Sequence, residues 1–231
     1  MALAPSSPAE PHQLLRRNPS AVLLAAQLLS ILAYPFLEGT TAGRAVIGVF
    51  GLVVVLAAMW AVRATPALTW VALLLGGPAT VLAVLEAVDP GSHSIVLTSA
   101  LFHAPFYFYI SYAMVRYVFS DDRVTSDEIF ATGAAFTVVA WGFTYVYAGA
   151  QVLWPGSFTG TGGPGDRSWF ELLFLSFTTL TSTGLSDVTP VLGHARSLSM
   201  VEQVTGVFYI AFVVARMVAL TVARRHPEEA A

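Results

Sequence analysis

The chain has 231 residues, of which 56% are hydrophobic and only 11% are charged, and its mean hydropathy is +0.70. Soluble domains carry about a quarter charged residues, so this composition excludes an ordinary soluble protein and indicates an integral membrane protein. The absence of cysteine excludes a disulfide framework and a thiolate metal site. The net charge of -3 says little about partners in a chain that lies mostly in lipid. We expect the lipid bilayer, and no nucleic acid, as a partner.

Six apolar segments are long enough to cross a bilayer, which takes about 20 residues of α-helix. They are residues 20–37, 45–62, 67–88, 95–119, 129–153 and 197–223. The sequence therefore predicts an all-α membrane protein with six transmembrane helices. The predicted parts are a cytoplasmic N-terminal tail (1–19), a four-helix transmembrane domain (20–123) and a two-helix domain (124–231).

The arginines predict the orientation of the chain in the membrane. All 11 basic residues are arginine, and an N-terminus on the inner side places most of them on that side, in agreement with the positive-inside rule. Those on the inner side would be Arg16, Arg17, Arg63, Arg116, Arg123, Arg224 and Arg225, and those on the outer side Arg44, Arg167 and Arg196. We expect a multi-pass protein of the cell (inner) membrane with both termini in the cytoplasm.

The fourth predicted span argues against steep voltage sensing. A voltage-sensing helix carries several Arg or Lys residues at every third position, whereas residues 95–119 contain Arg116 alone. The same span holds His103 two residues before Pro105, which favours a proline-kinked helix with a hydrogen-bonded core histidine over a proton sensor. The first four helices are therefore not predicted to form a typical voltage sensor.

A short additional helix is predicted between the fifth and sixth spans. Thr125 and Glu128 form a Thr-x-x-Glu capping box that opens the fifth span, and Ser168 and Glu171 form a second box before about ten apolar residues. Such a helix is too short to cross a membrane, and irregular chain at membrane depth needs protein or water around it. We expect it to re-enter the membrane with its C-terminal end pointing inward.

The loop before this helix (residues 155–166) is rich in Gly and Pro. Gly160 and Gly165 have the spacing of a phosphate-binding P-loop, but Asp166 and Arg167 stand where Lys and Ser/Thr are required. This glycine-rich loop is therefore interpreted as a flexible outer turret.

Residues 174–190, FLSFTTLTSTGLSDVTP, resemble the pore signature of the tetrameric potassium channels, Thr-x-Thr-Thr-Val-Gly-Tyr-Gly-Asp followed after two residues by Pro. The matching positions are Thr179, Thr181, Gly184, Asp187 and Pro190. The departures are Ser182 for Thr, Thr183 for Val, Leu185 for Tyr and Ser186 for the second Gly. A single glycine followed by Leu-Ser also resembles the pore loops of the Trk/Ktr potassium transporters.

The resemblance extends to a family of small bacterial six-helix ion channels over the C-terminal 110 residues or so. Gly206 lies 22 residues after Gly184, where many of these channels have a hinge glycine. The resemblance implies a homotetramer with K+ or Na+ as permeant ion and no other cofactor. It implies that the carbonyls of Thr183, Gly184 and Leu185 and the hydroxyl of Ser182 replace the water around that ion.

The departures lie within the implied selectivity filter. An L-residue in the left-handed conformation of the second glycine costs roughly 1 kcal/mol or more, so Ser186 is expected to shift or turn its carbonyl. Thr179 and Thr181 would support the filter. Asp187 would either support it through a hydrogen bond or concentrate cations at the outer mouth, and the sequence favours neither role. We expect a non-enzymatic cation channel that conducts K+ with weakened selectivity against Na+, or that is nonselective among monovalent cations.

Two other functions remain open from the sequence. A nonconducting membrane scaffold could share the channel fold. A rhomboid-like intramembrane serine protease would use Ser186 in the Gly-x-Ser motif, but that family continues with Gly where Asp187 stands, and neither His103 nor His194 is clearly placed as its base.

Overall fold

A computed structural model describes residues 18–40, 43, 46, 50, 51, 66–89, 91–119, 125–163 and 165–229. The predicted tail (1–19) and second span (45–62) lie almost wholly outside the described residues, as do Arg16, Arg17, Arg44, Arg63 and Arg123. The described helices and strands follow in chain order: α1 (Pro19–Leu37), α2 (Pro66–Val88), α3 (His93–Val118), α4 (Ser126–Leu153), β1 (Phe158–Thr159), α5 (Trp169–Leu180), β2 (Thr189–Pro190) and α6 (Gly193–Glu229).

Five of the described helices are long and apolar enough to span a membrane. They are α1, α3 and α4 over their full length, Trp70–Val88 of α2 and Gly193–Ala219 of α6. The prediction of an all-α membrane protein is thereby confirmed, and these helices coincide with five of the six predicted spans to within a few residues. The two short strands pair antiparallel, with Phe158 opposite Pro190 and Thr159 opposite Thr189.

α4 lies at the centre of the described helices. α1, α3, α5 and α6 all pack against it, and α3 makes the most extensive contact. Its small residues allow close approach, since Ala131, Ala134 and Ala135 are fully buried. A single cluster of buried side chains joins α1, α2, α3, α4 and α5, so the predicted boundary near residue 124 does not divide the hydrophobic core.

Polar contacts fix α1 against the start of α4. The Asp127 carboxylate accepts hydrogen bonds from the backbone N–H and the hydroxyl of Ser20, both at 2.9 Å, and from the Tyr117 hydroxyl at 3.1 Å. Asp127 is 6% exposed, and a buried carboxylate needs such partners. These bonds hold one end of α1, α3 and α4 together.

His103 is a core histidine of α3, as the interpretation of this span favoured. Its ring stacks on Tyr145 with centroids 4.3 Å apart, and its Nδ1 lies 2.9 Å from the Ser99 carbonyl oxygen. The basic residue in the last turn of α3 is Arg116.

Candidate functional site

α5 is a 12-residue apolar helix that begins with a complete capping box. The Glu171 N–H donates to the Ser168 hydroxyl at 3.2 Å, and the Ser168 N–H donates to the Glu171 carboxylate at 2.7 Å. These two bonds satisfy N–H groups that the first turn of a helix otherwise leaves without partners. The start of α5 is thus set by residues three positions apart in the sequence.

The C-terminal end of α5 touches the middle of α6. A Cβ atom added to Gly206 would overlap the carbonyl oxygen of Leu180, so only glycine permits this approach. Gly206 is the midpoint of the apolar window Gly193–Ala219. The last residue of α5 therefore lies at about half the depth of the α6 span.

The chain after α5, residues 181–188, forms an irregular segment that we call the filter loop. Three consecutive backbone N–H groups in it point back to the helix end. The Ser182 N–H donates to the Thr179 carbonyl at 3.0 Å, and those of Thr183 and Gly184 donate to the Thr178 carbonyl at 3.0 and 3.1 Å. The N–H and C=O of a trans peptide point in opposite directions, and no described peptide bond is cis. The carbonyls of Thr181, Ser182 and Thr183 therefore point away from α5.

Two residues of the filter loop have left-handed backbones. Gly184 has φ 66°, and Ser182 has φ 57° and is the one described non-glycine residue with a positive φ. These two residues flank Thr183. Their positive φ angles accompany the common direction of the three neighbouring carbonyls.

Ser186 takes a different conformation from the second filter glycine of the resembled channels. It is not among the described residues with positive φ, and its hydroxyl instead accepts the Val188 N–H at 3.0 Å. The strain that a left-handed backbone would impose at this position is thus absent from Ser186, although Ser182 does have a positive φ. Leu185, in the position of the family's tyrosine, is 77% exposed in the single chain.

Hydroxyl groups brace the part of the filter loop next to α5. The Thr181 hydroxyl donates to the Phe177 carbonyl at 2.7 Å and lies 3.1 Å from that of Thr183. Thr179, which the resemblance made a support of the filter, is 7% exposed and offers its carbonyl to Ser182.

Asp187 connects the filter loop to the glycine-rich loop. Its carboxylate accepts a hydrogen bond from the Thr161 hydroxyl at 2.8 Å, yet the residue is exposed. Both roles left open by the sequence are compatible with this geometry, because the accepted bond leaves the negative charge facing solvent.

After the filter loop, the chain returns to the end of α4. The β1–β2 pair and a 2.9 Å hydrogen bond from the Val191 N–H to the Ser157 carbonyl join the two ends of the chain between α4 and α6.

Arg167 braces the glycine-rich loop, because its guanidinium donates to the carbonyls of Gly163 (2.6 Å) and Gly165 (2.8 Å). The side chain of Arg167 is 4% exposed, so it is part of the loop's structure more than of an outer charged surface.

A buried carboxyl lies behind α5. Glu202 of α6 is 0% exposed and accepts hydrogen bonds from the Tyr147 hydroxyl of α4 and the Ser176 hydroxyl of α5. Its partners lie 55 and 26 residues away in the sequence, so this cluster forms only when the three helices pack together. One residue thus holds together the three helices around the filter loop.

Arg216 near the other end of α6 points towards α4. Its guanidinium lies 3.9 Å from the Glu128 carboxylate and 4.9 Å from the centre of the Phe119 ring. Both charged side chains are largely buried, with 11% and 3% exposure. Arg216 is therefore engaged with its own chain.

The geometry gives no support to a Ser/His catalytic pair. Among the described contacts, the Ser186 hydroxyl bonds to Val188, His103 bonds to Ser99, and His194 stacks on Trp154 at 4.2 Å. None of these contacts brings a histidine to Ser186.

Comparison with known proteins gave one match. Residues 131–223 match the model of a family described as "Ion channel". No curated protein and no solved structure matches the chain. The matched residues contain most of α4, all of α5, the filter loop and the apolar part of α6, so the family match and the irregular segment fall on the same part of the chain and support an ion channel domain there.

Proposed function

We propose that the chain is one subunit of a homotetrameric cation channel that conducts K+ and discriminates only weakly against Na+. The observation that carries this proposal is the set of Thr181, Ser182 and Thr183 carbonyls directed away from α5 at about the mid-depth of α6. Rings of such carbonyls can replace the hydration shell of a monovalent cation.

The filter loop itself argues for several copies around one axis. Its residues 181–185 are exposed in the single chain, and backbone carbonyls cannot face lipid without a large loss of hydrogen bonding. Copies arranged with closed symmetry would give these carbonyls a shared aqueous pathway. The exposed apolar residues of α6 are not evidence for several copies, because lipid can cover such residues as well as another subunit can.

The α5 segment acts as a re-entrant pore helix in this proposal. The filter loop ends beside residues that closely follow α4, near the start of α5. The far end of α5 reaches the middle of α6. The C-terminal ends of four such helices point their negative dipoles at the centre of the assembly, which favours a cation there.

Weak selectivity is inferred from Ser186 and Leu185. In the resembled channels the second glycine holds an additional carbonyl in line, whereas Ser186 has no positive φ here and bonds to Val188. The sites formed by the Thr181 to Thr183 carbonyls would remain, and the outer sites assigned by resemblance to Gly184 and Leu185 would be less regular. Fewer regular sites reduce discrimination between K+ and Na+.

The proposal is tested by K+ flux into liposomes that contain the purified protein and a K+ gradient. The wild-type chain should carry K+ down the gradient. Gly184→Ala should lose most of this flux while the assembly stays intact, because alanine is unfavourable at φ 66°. Gly77→Ala is the matched control, since a Cβ there meets no atom within 4 Å and flux should be unchanged.

An assembled wild-type protein that carries no ion in this assay would contradict the proposal and favour the nonconducting scaffold. Equal flux through wild-type protein and Gly184→Ala would show that the pathway does not pass the filter loop.

A further inference from the structure

A cavity of about 910 Å³ lies between the N-terminal helices and the start of α5, away from the filter loop. Cavities that bind small molecules usually have volumes of about 300–1,000 Å³. At one end the cavity reaches Gly91 and Asp166, which lie in loops between helices, so it is accessible from the aqueous phase. At the other end it reaches His103 and Trp141.

The walls of this cavity are unusually aromatic. Among the described residues, the rings that line it include those of Tyr34, Tyr107, Trp141, Tyr145 and Trp169. Tyr107 and Tyr145 stack with centroids 5.8 Å apart, and Tyr34 and Trp169 stack at 5.5 Å. Aromatic faces attract cations that come within about 6 Å of the ring centre, and quaternary ammonium groups are bound in this way.

Glu86 supplies the charge. Its carboxylate lines the cavity and accepts a hydrogen bond from the Ser99 hydroxyl at 2.7 Å. The salt bridges of the described residues do not include Glu86, so within this part of the chain no cation faces it. A carboxylate in such a setting is strongly stabilised by a cation that enters the cavity.

Four other charged or titratable groups around the cavity form two pairs. Asp166 lies 3.1 Å from the His93 ring, and Glu171 lies 3.6 Å from the Arg167 guanidinium. His103 is hydrogen-bonded through Nδ1 to the Ser99 carbonyl. Glu38 also lines the cavity, but it is exposed, whereas Glu86 is partly buried. Glu86 is therefore the partly buried carboxylate that a ligand would meet among these aromatic rings.

We infer that this cavity binds a small organic cation, an alkylated ammonium compound whose charge pairs with Glu86 and whose alkyl groups contact the aromatic rings. This site is separate from the filter loop and does not depend on the proposed conduction. It does touch the pore-helix segment, because Trp169 is the first residue of α5.

The test is calorimetric titration of the full chain in detergent with choline and, separately, with 3,3-dimethylbutan-1-ol, the neutral molecule of the same shape. Choline should bind and the alcohol should bind about tenfold more weakly or not at all. Glu86→Gln keeps an oxygen for Ser99 and removes the charge, and it should weaken choline binding about tenfold. Tyr34→Leu should weaken it several-fold.

Two variants separate this site from other acidic positions. Asp89→Asn removes the same charge just after the end of α2, outside the cavity lining, and should leave choline binding unchanged. Asp187→Asn tests the alternative that choline binds at the filter loop, and it should also leave binding unchanged. Equal binding of choline and the alcohol, unchanged binding in Glu86→Gln, or loss of binding in Asp187→Asn would each overturn the inference.

Discussion

At the residue scale, a close contact explains why position 206 is glycine. The resemblance implies that Gly206 is a hinge, and the structure adds a steric reason, because Gly206 lies against the Leu180 carbonyl. Gly206→Ala should destabilise the protein by about 1–3 kcal/mol, because either α5 or α6 must move to admit the methyl group. The midpoint of thermal unfolding in detergent measures this effect. A midpoint equal to that of wild type would show that α5 and α6 do not meet here.

The two possible roles of Asp187 can be separated by two substitutions. Asp187→Asn keeps an oxygen for Thr161 and removes the charge, whereas Thr161→Ala removes the hydrogen bond and keeps the charge. Since Asp187 is exposed, we expect Asp187→Asn to reduce cation conductance, more strongly at low salt where screening is weak. Thr161→Ala should have little effect. The reverse pattern in single-channel recordings would assign a bracing role to Asp187.

Ser186→Gly tests the proposed origin of weak selectivity. Glycine restores the residue that adopts left-handed backbone at little cost and removes the bond to Val188. The variant should discriminate against Na+ better than wild type, as measured by relative K+ and Na+ permeability. A permeability ratio unchanged by Ser186→Gly would mean that the position of the second glycine does not limit selectivity in this chain.

At the scale of helices, the ion pair between Arg216 and Glu128 holds one end of α6 against the start of α4. Both side chains are largely buried, and breaking a buried pair by removing one partner is costly. Arg216→Gln and Glu128→Gln should each destabilise the protein, and the double variant should lose less than the two effects added together. A coupling energy of about 0.5–3 kcal/mol is expected from a double-mutant cycle of unfolding free energies. Strict additivity would show that the two residues act independently.

The presence of the described helices was predictable from the sequence, because helix formation depends on residues close together in the chain. The apolar windows and the Ser168 and Glu171 spacing need only residues a few positions apart, and both hydrogen bonds of that box are present in the structure. The contact of Glu202 with Tyr147 depends on how α4 and α6 are aligned, which a single sequence does not determine. For the same reason, neither the Asp127 contacts nor the aromatic cavity were predicted.

The backbone of the filter loop was predictable only in part. Gly184 was identified from its motif, and its positive φ is what a single glycine at that position suggests. The left-handed Ser182 was not identified, because serine carries no conformational signal for it. Its conformation accompanies the return of the chain beneath the end of α5, where the N–H groups of Thr183 and Gly184 share the Thr178 carbonyl.

At the scale of the whole molecule, the N-terminal helices and the ion channel segment share one core through α4. The helices before α4 therefore contribute to the stability of the segment that carries the filter loop. This shared core also places the aromatic cavity against the first residue of α5.

The reversal potential of the reconstituted protein, with K+ on one side of a planar bilayer and Na+ on the other, tests the central claim most directly. The account predicts a cation current that reverses on the K+-selective side of zero but well short of the K+ equilibrium potential. A reversal potential equal to the equilibrium potential of the anion would contradict the account. So would the absence of current from protein that is shown to be assembled.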